Sequence, residues 1–442
     1  MQRADAIADL EFLKLVLEKR FSYLKTNDVD FIALFDELQT RLPAEFETDR
    51  FGLDLQQLLA HFIDGHAAVN VRPSPQGFMP FLTGPVGESL VAFRPDRSGL
   101  IDPARPFVAA IDAIPIQEWL TAAAQYVAAG SPQLVRRESL RWLRAVQLLR
   151  RDMGLHESSG VDVRLTTEDN SSDRTLRLAV LEQAPQFEIW PRTESRILEG
   201  DVAYLRLPRM RPEAADDVEG WLDRCQAATG LIVDVRGNGG GSRDALLALM
   251  PAMIAENDPP RVVNVAAYRS WNGFPDDHLA ARHLYPVGSE RWSRRERSAL
   301  DEFMALFTPE WQPPVDEFSP WHAMVVSPAA VDAPRFLERP VVVLMDSRCF
   351  SATDVFLSAL KGLRNVTLVG EPSGGGSARA QAVELPHSGL KVRFASMASY
   401  QASGELFDGR GVQPDVLVEP VPEYYVADGR DVVLERAMEV AN

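Results

Sequence analysis

Ser351 is the residue of this chain best placed to act as a nucleophile. It follows the apolar run Val341 to Met345 through a short polar turn, and apolar residues with helical spacing come after it. A hydroxyl at a helix start lies near the positive end of the helix dipole, which favours an alkoxide-like state. The pattern predicts a serine nucleophile, with the N–H of Ala352 facing the same oxyanion. Taken alone, a serine in this place is more often an N-cap.

A glycine-rich turn offers backbone N–H groups to an anion. The run 231–235 is typical of a buried strand, and four glycines follow it within positions 237–241. Glycine permits positive φ and close approach of the backbone, so such N–H groups can bind a pyrophosphate or an oxyanion. The spacing lacks the third glycine of the dinucleotide-binding pattern. We therefore expect an oxyanion hole that includes Gly239 and Gly240, with a purely structural turn as the alternative.

His66 is the candidate general base. It is one of seven histidines and lies in a polar Asp-Gly-His turn between an apolar helical segment and a strand-like run. Imidazole is the usual base for a serine hydroxyl because its pKa lies near working pH. A turn histidine with only a structural hydrogen bond is the alternative. His61 and His66 are five residues apart, a spacing that does not place two metal ligands on one helical face, so we expect no metal.

Two features near the C-terminus complete the set of candidates. The glycines of the loop 371–377, Gly374, Gly375 and Gly376, could let a substrate backbone pass close to the sheet. The segment 406–415 could supply Asp408 as an orienting carboxylate. Either feature could also be a plain turn.

Composition and charge exclude several classes of partner. The chain has 442 residues and a formal net charge of −17, which repels nucleic acid and anionic lipid. It has no run of the roughly 18 to 20 apolar residues that a membrane helix needs, and its first twenty residues do not resemble a signal peptide. We expect a cytoplasmic protein, or a periplasmic or secreted one if an export signal was removed. Cys225 and Cys349 are expected to be buried thiols.

Residue patterns divide the chain into three expected domains. Residues 1–72 have helical periodicity and end in the Asp-Gly-His turn, which predicts a helical bundle. Residues 73–198 mix strands and helices, and the order of elements over 107–120 is that of a peptide-binding PDZ module. Residues 199–442 alternate strand and helix, which predicts a largely parallel sheet covered by helices.

Two further stretches carry specific expectations. An amphipathic pattern predicts one helix from Arg137 to Met153. The segment of about 257–338 is an insertion in the third domain, rich in Trp, Phe, Pro and Arg, with a predicted helix near Arg294 to Phe307. We expect it to pack over the core as a lid or wall that shapes access to the site.

Together these segments resemble the tail-specific, or C-terminal processing, peptidase family. The resemblance rests on the order of the bundle, the Asp-Gly-His turn, the PDZ-like region, the strand and glycine turn 234–241, the serine helix, Gly370-Glu371-Pro372 with its glycine loop, and the run 411–415. It covers about 200–420 well and the first 70 residues recognisably, while 257–338 has no counterpart. It implies an α/β fold with an N-terminal helical bundle, a degenerate PDZ-like α+β region and a ClpP/crotonase-like α/β core. It also implies a peptide or protein substrate and no cofactor. The oligomeric state stays open, and a homo-oligomer is allowed.

One departure from the family bears on mechanism. Many members pair the serine with a lysine about 25 positions later, but position 376 is glycine and the loop contains no lysine. Lys361 and Lys391 are poor substitutes. The chain is instead similar to the tricorn-like branch, in which a histidine after the N-terminal bundle is the base and an acidic residue before the Gly-Val-x-Pro-Asp segment completes the site. His66 and Asp408 match those positions, whereas Gly65 stands where that branch can carry a serine.

The resemblance implies acyl transfer by a serine endopeptidase or C-terminal processing peptidase. His66 would deprotonate Ser351, and the N–H groups of Gly240 and Ala352 would hold the oxyanion, while Asp408 orients the histidine or its partner. The core also resembles modules of the interphotoreceptor retinoid-binding protein. The alternative is therefore a non-catalytic protein that binds apolar ligands or peptides.

Overall fold

The computed structural model describes residues 1–26, 29–269, 277–329 and 336–441. It combines helices with several β-sheets, as the expected α/β class requires. Both cysteines are buried and free, which confirms the prediction of buried thiols. None of the helices in the described ranges is both long and apolar enough to cross a membrane.

Three helices and a short strand make up the first region. They are α1 (Arg3–Arg20), α2 (Phe31–Arg41), α3 (Thr48–Leu59) and β1 (Ala68–Val69). The helices bury residues three or four positions apart, such as Leu10, Leu13 and Leu17. Their apolar faces share one cluster with residues of later strands, including Val392 and Phe394. The end of α3, from which the chain runs to His66, is thereby fixed against the rest of the molecule.

The second region is an antiparallel sheet with three helices. Its elements are β2 (Leu82–Val86), β3 (Ser89–Phe93), β4 (Phe107–Ile111), β5 (Ile114–Pro115), α4 (Ile116–Ala124), α5 (Pro132–Leu143), α6 (Val146–Asp152), β6 (Gly160–Thr166) and β7 (Asp173–Ala179). The strand order is β2-β3-β4-β6-β7, with β5 paired to β4. The prediction of one helix over 137–153 is wrong, because Ala145 has the non-helical ψ of 64° that separates α5 from α6. The PDZ-like character of this region stays a prediction.

The third region begins with strands and helices that alternate as predicted. They are β8 (Arg196–Ile197), β9 (Val202–Arg206), α7 (Ala214–Arg224), β10 (Gly230–Asp234) and α8 (Asp244–Leu249). Strand β10 is buried along its whole length. It pairs in parallel with β9, so both strands end at the same edge of the sheet.

The segment predicted as an insertion supplies regular structure. It contains β11 (Arg261–Tyr268), β12 (Tyr285–Pro286), α9 (Arg294–Leu306) and β13 (His322–Val326). Helix α9 matches the predicted helix and begins at a capping box formed by Ser293 and Glu296. The remainder of the segment, 270–276 and 330–335, lies outside the described residues.

The chain then returns to the core. The remaining elements are β14 (Val341–Met345), α10 (Ala352–Leu360), β15 (Val366–Gly370), β16 (Ala380–Glu384), β17 (Lys391–Ala395), β18 (Met397–Tyr400), β19 (Val416–Leu417) and α11 (Val432–Ala441). The main sheet has the order β19-β15-β14-β10-β9-β8, and its pairs are parallel except β8 with β9, which confirms a largely parallel sheet. A second sheet has the order β12-β13-β11-β18, and a third has the order β1-β17-β16. The division into three domains at 72 and 198 stays a prediction.

Candidate active site

Ser351 lies between the parallel strand β14 and the helix α10, in a strained backbone conformation. Its φ is 61° and its ψ is −116°, and its side chain does not cap the helix. A non-glycine residue with positive φ is costly and persists only where its surroundings enforce it. The alternative that Ser351 is merely an N-cap is therefore wrong, and its hydroxyl is free to face another partner.

That partner is His66. Its Nε2 lies 3.3 Å from the Oγ of Ser351, which joins positions 285 residues apart. The backbone on either side of the imidazole is fixed, because the N–H of His66 donates to Asp64 and its carbonyl accepts from Arg393. Strand β1 follows at once and pairs with β17. The ring of Phe350 packs against the imidazole at 4.7 Å between centroids.

Two buried carboxyl groups stand behind the imidazole. The Nδ1 of His66 is 3.9 Å from Oδ1 of Asp64 and has no hydrogen-bond partner among the described residues. Oδ2 of Asp408 accepts from the hydroxyl of Tyr23 at 2.8 Å and from the N–H of Ser377 at 3.0 Å. Its Oδ1, like the histidine Nδ1, is buried without a described partner. Both carboxyl groups are therefore close enough to interact electrostatically with the imidazole. Asp64 is the nearer of the two in sequence.

Burial sets the protonation of the three groups. It lowers the pKa of His66 to about 3. It raises the pKa of Asp64 to about 6, and it raises that of Asp408 to about 7 with a further contribution from the charge of Asp64. The imidazole is thus neutral near pH 7 and able to accept a proton. A neighbouring carboxylate that ionises near this pH can stabilise the imidazolium that results.

The same three groups are also a possible set of cation ligands. Asp64, His66 and Asp408 each offer one ligand atom, and these atoms lie within 4.8 Å of one another. The Nε2 of His66 faces Ser351, and one oxygen of Asp408 is occupied by Tyr23 and Ser377. Nδ1 of His66 and Oδ1 of Asp408 have no described hydrogen-bond partner. The expectation of no metal stays a prediction.

The glycine turn after β10 lies directly against Ser351 and its neighbours. A Cβ on Gly240 would come within 2.5 Å of the Phe350 carbonyl and 2.8 Å of the Ala352 nitrogen, and the φ of Gly240 is +95°. The N–H of Gly240, however, donates to Oδ1 of Asn238 at 2.9 Å. The expectation that Gly240 is an oxyanion donor is therefore not met in this structure, because its N–H is already bonded.

Two other expected donors keep their N–H groups available. Neither Gly239 nor Ala352 donates a backbone hydrogen bond to any described residue. Ala352 is the first residue of α10, where N–H groups have no partner within the helix. Gly239 is exposed and lines the cleft described below. The pair Gly239 and Ala352 thus matches what an oxyanion hole requires better than the pair Gly240 and Ala352.

The glycines at 374–376 have a different place from the one predicted. Their N–H groups donate to the Cys349 carbonyl and to both carboxylate oxygens of Asp354, and all three glycines are buried. A Cβ on Gly376 would lie 2.5 Å from the Phe350 ring. The prediction that they bind the substrate backbone is corrected here: these glycines pack beneath the serine turn and do not line the cleft.

Asp354 links the serine turn to the glycine loop. It is fully buried, and burial raises its pKa to about 7 in spite of hydrogen bonds from Ser373, the loop glycines and the Ser351 backbone. These contacts fix the backbone of Ser351 from below. Asp354, Asp64 and Tyr23 were not predicted from the sequence as part of the site. Of the three, only Asp64 stands in a recognisable local pattern, as the first residue of the Asp-Gly-His turn.

The two lysines nearest in sequence after Ser351 lie elsewhere. Lys361 ends α10 and donates to the carbonyl of Gln413, near Asp415. Lys391 forms an exposed ion pair with Glu384. Neither lysine contacts Ser351, whereas Nε2 of His66 lies within hydrogen-bond distance of its hydroxyl.

A cleft of about 710 Å³ opens beside these groups. Its lining includes Gly65 next to His66, Phe350 next to Ser351, and the glycines Gly239 and Gly240. No described residue of 257–338 lines it. Instead, β11 pairs with β18 and the segment packs with the N-terminal helices. The expectation that this segment covers the site as a lid is therefore not supported by its described residues.

Comparison with known proteins gives one family and one fold. Residues 201–418 match the model of peptidase family S41. A carboxy-terminal-processing protease of Bartonella bacilliformis is 34% identical over 98 residues, which are 22% of this chain and 22% of that protein. Mature CPAF has a TM-score of 0.67 at 15% identity and covers 96% of this chain and 94% of its own. A putative peptidase from Parabacteroides merdae has a TM-score of 0.52 at 16% identity, covering 100% and 97%. The two structures show that this chain shares their fold.

Proposed function

Because residues 201–418 belong to peptidase family S41, we propose that the protein is a serine peptidase with Ser351 as nucleophile and His66 as base. The observation that carries the proposal is the 3.3 Å separation of His66 Nε2 and Ser351 Oγ. The strained φ of Ser351 supports it, since a helix cap needs no such strain. Hydrolysis of a peptide bond is the reaction that these groups together are suited to catalyse.

The proposed reaction proceeds through an acyl-enzyme. As the Oγ of Ser351 attacks the peptide carbonyl carbon, its proton passes to Nε2 of His66. The N–H groups of Gly239 and Ala352 stabilise the oxyanion of the tetrahedral intermediate. The imidazolium then protonates the leaving amine, and the C–N bond breaks. In the second half, His66 deprotonates a water that attacks the ester carbonyl, and Ser351 recovers its proton.

The buried carboxyl groups support the base. Asp64 holds the His66 backbone through the N–H at 2.9 Å and is 3.9 Å from Nδ1. Asp408, ionised, stabilises the imidazolium that forms during attack, and Tyr23 holds the carboxylate in place. In this proposal Asp408 is an orienting and electrostatic group. Asp64 joins it in that role.

The proposed substrate is a peptide or protein chain. The B. bacilliformis relative is named for carboxy-terminal processing, and this chain spans 22% of its length. C-terminal processing is therefore a proposal for this protein, as are assignment to the tricorn-like branch and formation of a homo-oligomer. The absence of a lysine in the loop 371–377 supports the branch assignment. The cytoplasmic location stays a prediction, which cell fractionation would test.

A fluorophosphonate probe tests the proposal. It reacts with serines that an adjacent base activates and leaves the hydroxyls of a binding module unmodified. We expect one adduct per chain, located on Ser351 by peptide mass spectrometry, and none in Ser351→Ala. An unlabelled protein that folds normally would favour the non-catalytic alternative. An adduct on another serine would refute the choice of nucleophile.

A further inference from the structure

The charge of the cleft is opposite to that of the protein. The charged residues that line it are six arginines and one carboxylate, Glu138, whereas the whole chain has a formal net charge of −17. The arginines are Arg137, Arg141, Arg209, Arg211, Arg348 and Arg393. A cationic cleft in an anionic protein concentrates anionic groups at the site, because the field of the remaining surface repels them.

Glu138 neutralises only part of this charge. Its carboxylate lies 2.6 Å from Nη2 of Arg137 and 3.2 Å from Nη1 of Arg141. Burial alone would raise the pKa of Glu138, but these two arginines hold that pKa below its ordinary value. Glu138 is thus ionised, and its single negative charge is already shared between two arginines.

The other four arginines have no ion pair with a described carboxylate. Arg348 donates to the carbonyl of Glu188 at 3.2 Å, and Nε of Arg393 donates to the carbonyl of His66 at 2.8 Å. Arg209 and Arg211 are exposed, and their guanidinium groups make no hydrogen bond to a described residue. Guanidinium groups in this state can bind a carboxylate through two parallel hydrogen bonds.

Three of these arginines lie next to elements of the candidate site. Arg209 and Arg211 flank the buried Met210, whose carbonyl accepts from the N–H of Ser242 at 2.6 Å, so the backbone that carries them lies beside the glycine turn. Nε of Arg393 donates to the carbonyl of His66, so this guanidinium group lies beside the candidate base. A peptide bound in this cleft at Ser351 therefore has guanidinium groups near it, both by the glycine turn and by the histidine.

We propose that the cleft selects peptides with several acidic side chains close to the scissile bond, a specificity that rests on the proposed peptidase function. Several separated guanidinium groups match several carboxylates along an extended chain. One C-terminal carboxylate would neutralise only one of these positions. Acidic side chains are therefore the chemistry that fits the lining.

Binding to the Ser351→Ala protein tests this without requiring hydrolysis. Two fluorescent peptides with acetylated and amidated ends differ only in Glu or Gln at two positions on each side of the central bond. We expect the Glu peptide to bind at least about tenfold more tightly at about 50 mM salt, with a smaller ratio at about 300 mM because salt screens the attraction. A third peptide, the Gln sequence with a free C-terminus, separates a terminal carboxylate from side-chain carboxylates.

A matched pair of double variants locates the effect. Arg209→Gln with Arg211→Gln should reduce the Glu/Gln ratio at least about threefold. Arg261→Gln with Arg294→Gln removes the same charge from exposed positions outside the cleft lining and should leave the ratio unchanged. Equal affinity for the Glu and Gln peptides, a preference only for the free C-terminus, or an equal loss in both double variants would each overturn the proposal. Fluorophosphonate labelling of wild-type Ser351 is read separately, so a failure of the peptidase function is distinguishable from a failure of this specificity.

Discussion

Replacing Asp408 by Asn should make the protein more stable and less active. Asp408 is buried, and burial together with the charge of Asp64 raises its pKa from 3.8 to about 7. An Asn oxygen in place of Oδ2 can still accept from Tyr23 and Ser377, as the carboxylate does now. The substitution therefore removes a buried charge and keeps the hydrogen bonds that hold the side chain.

The magnitude follows from proton linkage. Below pH 3.8 the Asp408 carboxyl is protonated in both states and costs nothing. Between pH 3.8 and about 7 the folded state retains a proton that the unfolded state has lost, so stability falls as pH rises. Above about 7 the full cost applies, and the shift corresponds to about 4 kcal/mol at 1.36 kcal/mol per pKa unit. Asp408→Asn should recover up to about that amount at pH 8 and nearly nothing at pH 4.

The Asp408→Asn variant should be less active than the wild type, although it is more stable. The Asn amide would place a donor where Oδ1 of Asp408 now lies without a partner. A donor facing Nδ1 of His66 favours the tautomer with the proton on Nε2, which cannot accept from Ser351. We expect the fluorophosphonate labelling rate at pH 8 to fall by about a thousandfold.

Asp234→Asn is the matched control, with the opposite sign for stability. Burial alone would raise the pKa of Asp234, but Arg236 and Arg206 lower it to about 2. Its ion pairs therefore contribute stability above pH 3.8 that is lost as pH falls through about 2. The Asn variant should lose at least about 2 kcal/mol near pH 7.

Urea unfolding of the two variants and the wild type at pH 4 and pH 8 measures both effects. An Asp408→Asn protein that is less stable than wild type at pH 8, or one that labels at the wild-type rate, would refute the reasoning on this carboxyl group.

Three further predictions address neighbouring contacts. Tyr23→Phe removes a hydrogen bond that lowers the pKa of Asp408. The pH below which the fluorophosphonate labelling rate falls should therefore move to a higher value. If that pH does not change, Asp408 does not set it. Gly240→Ala should lower the Tm by several degrees, because its Cβ would meet backbone atoms at 2.5 and 2.8 Å, whereas Gly239→Ala has open space and should leave the Tm unchanged. Equal Tm values for the two variants would contradict the close contact at the serine turn. The carboxylate of Asp64 accepts from the backbone N–H groups of His66 and Ala395, and Asp64→Asn leaves one of them without an acceptor. This variant should slow labelling at least about tenfold. Labelling at the wild-type rate would exclude Asp64 from positioning His66.

The local patterns were sufficient to find Ser351 and His66. Each lies where a turn leaves a strand or helix, and such polar positions between apolar runs are visible without a structure. The parallel strands β10 and β14 were visible for the same reason, as short apolar runs followed by turns. What the sequence left ambiguous was whether Ser351 caps its helix, because both roles need the same residue at the same place.

The contacts between distant parts of the chain could not be predicted from the sequence. Tyr23 bonds to Asp408 across 385 positions, and nothing near Tyr23 distinguishes it from a core tyrosine. The use of the Gly240 N–H depends on the rotamer of Asn238, which no glycine pattern reveals. The strands of 257–338 were missed because β11 pairs with β18, more than a hundred residues later. Register between such strands is set by packing rather than by local propensity.

The dependence of Ser351 on His66 is the central feature of the proposed mechanism. We would compare the rate of fluorophosphonate labelling in His66→Ala with that in His61→Ala, an exposed histidine five residues earlier. We expect a loss of at least about a thousandfold for His66→Ala and a wild-type rate for His61→Ala, because a serine without its base is a poor nucleophile. Labelling of the His66→Ala protein at the wild-type rate, or its loss in Lys361→Ala instead, would contradict the account.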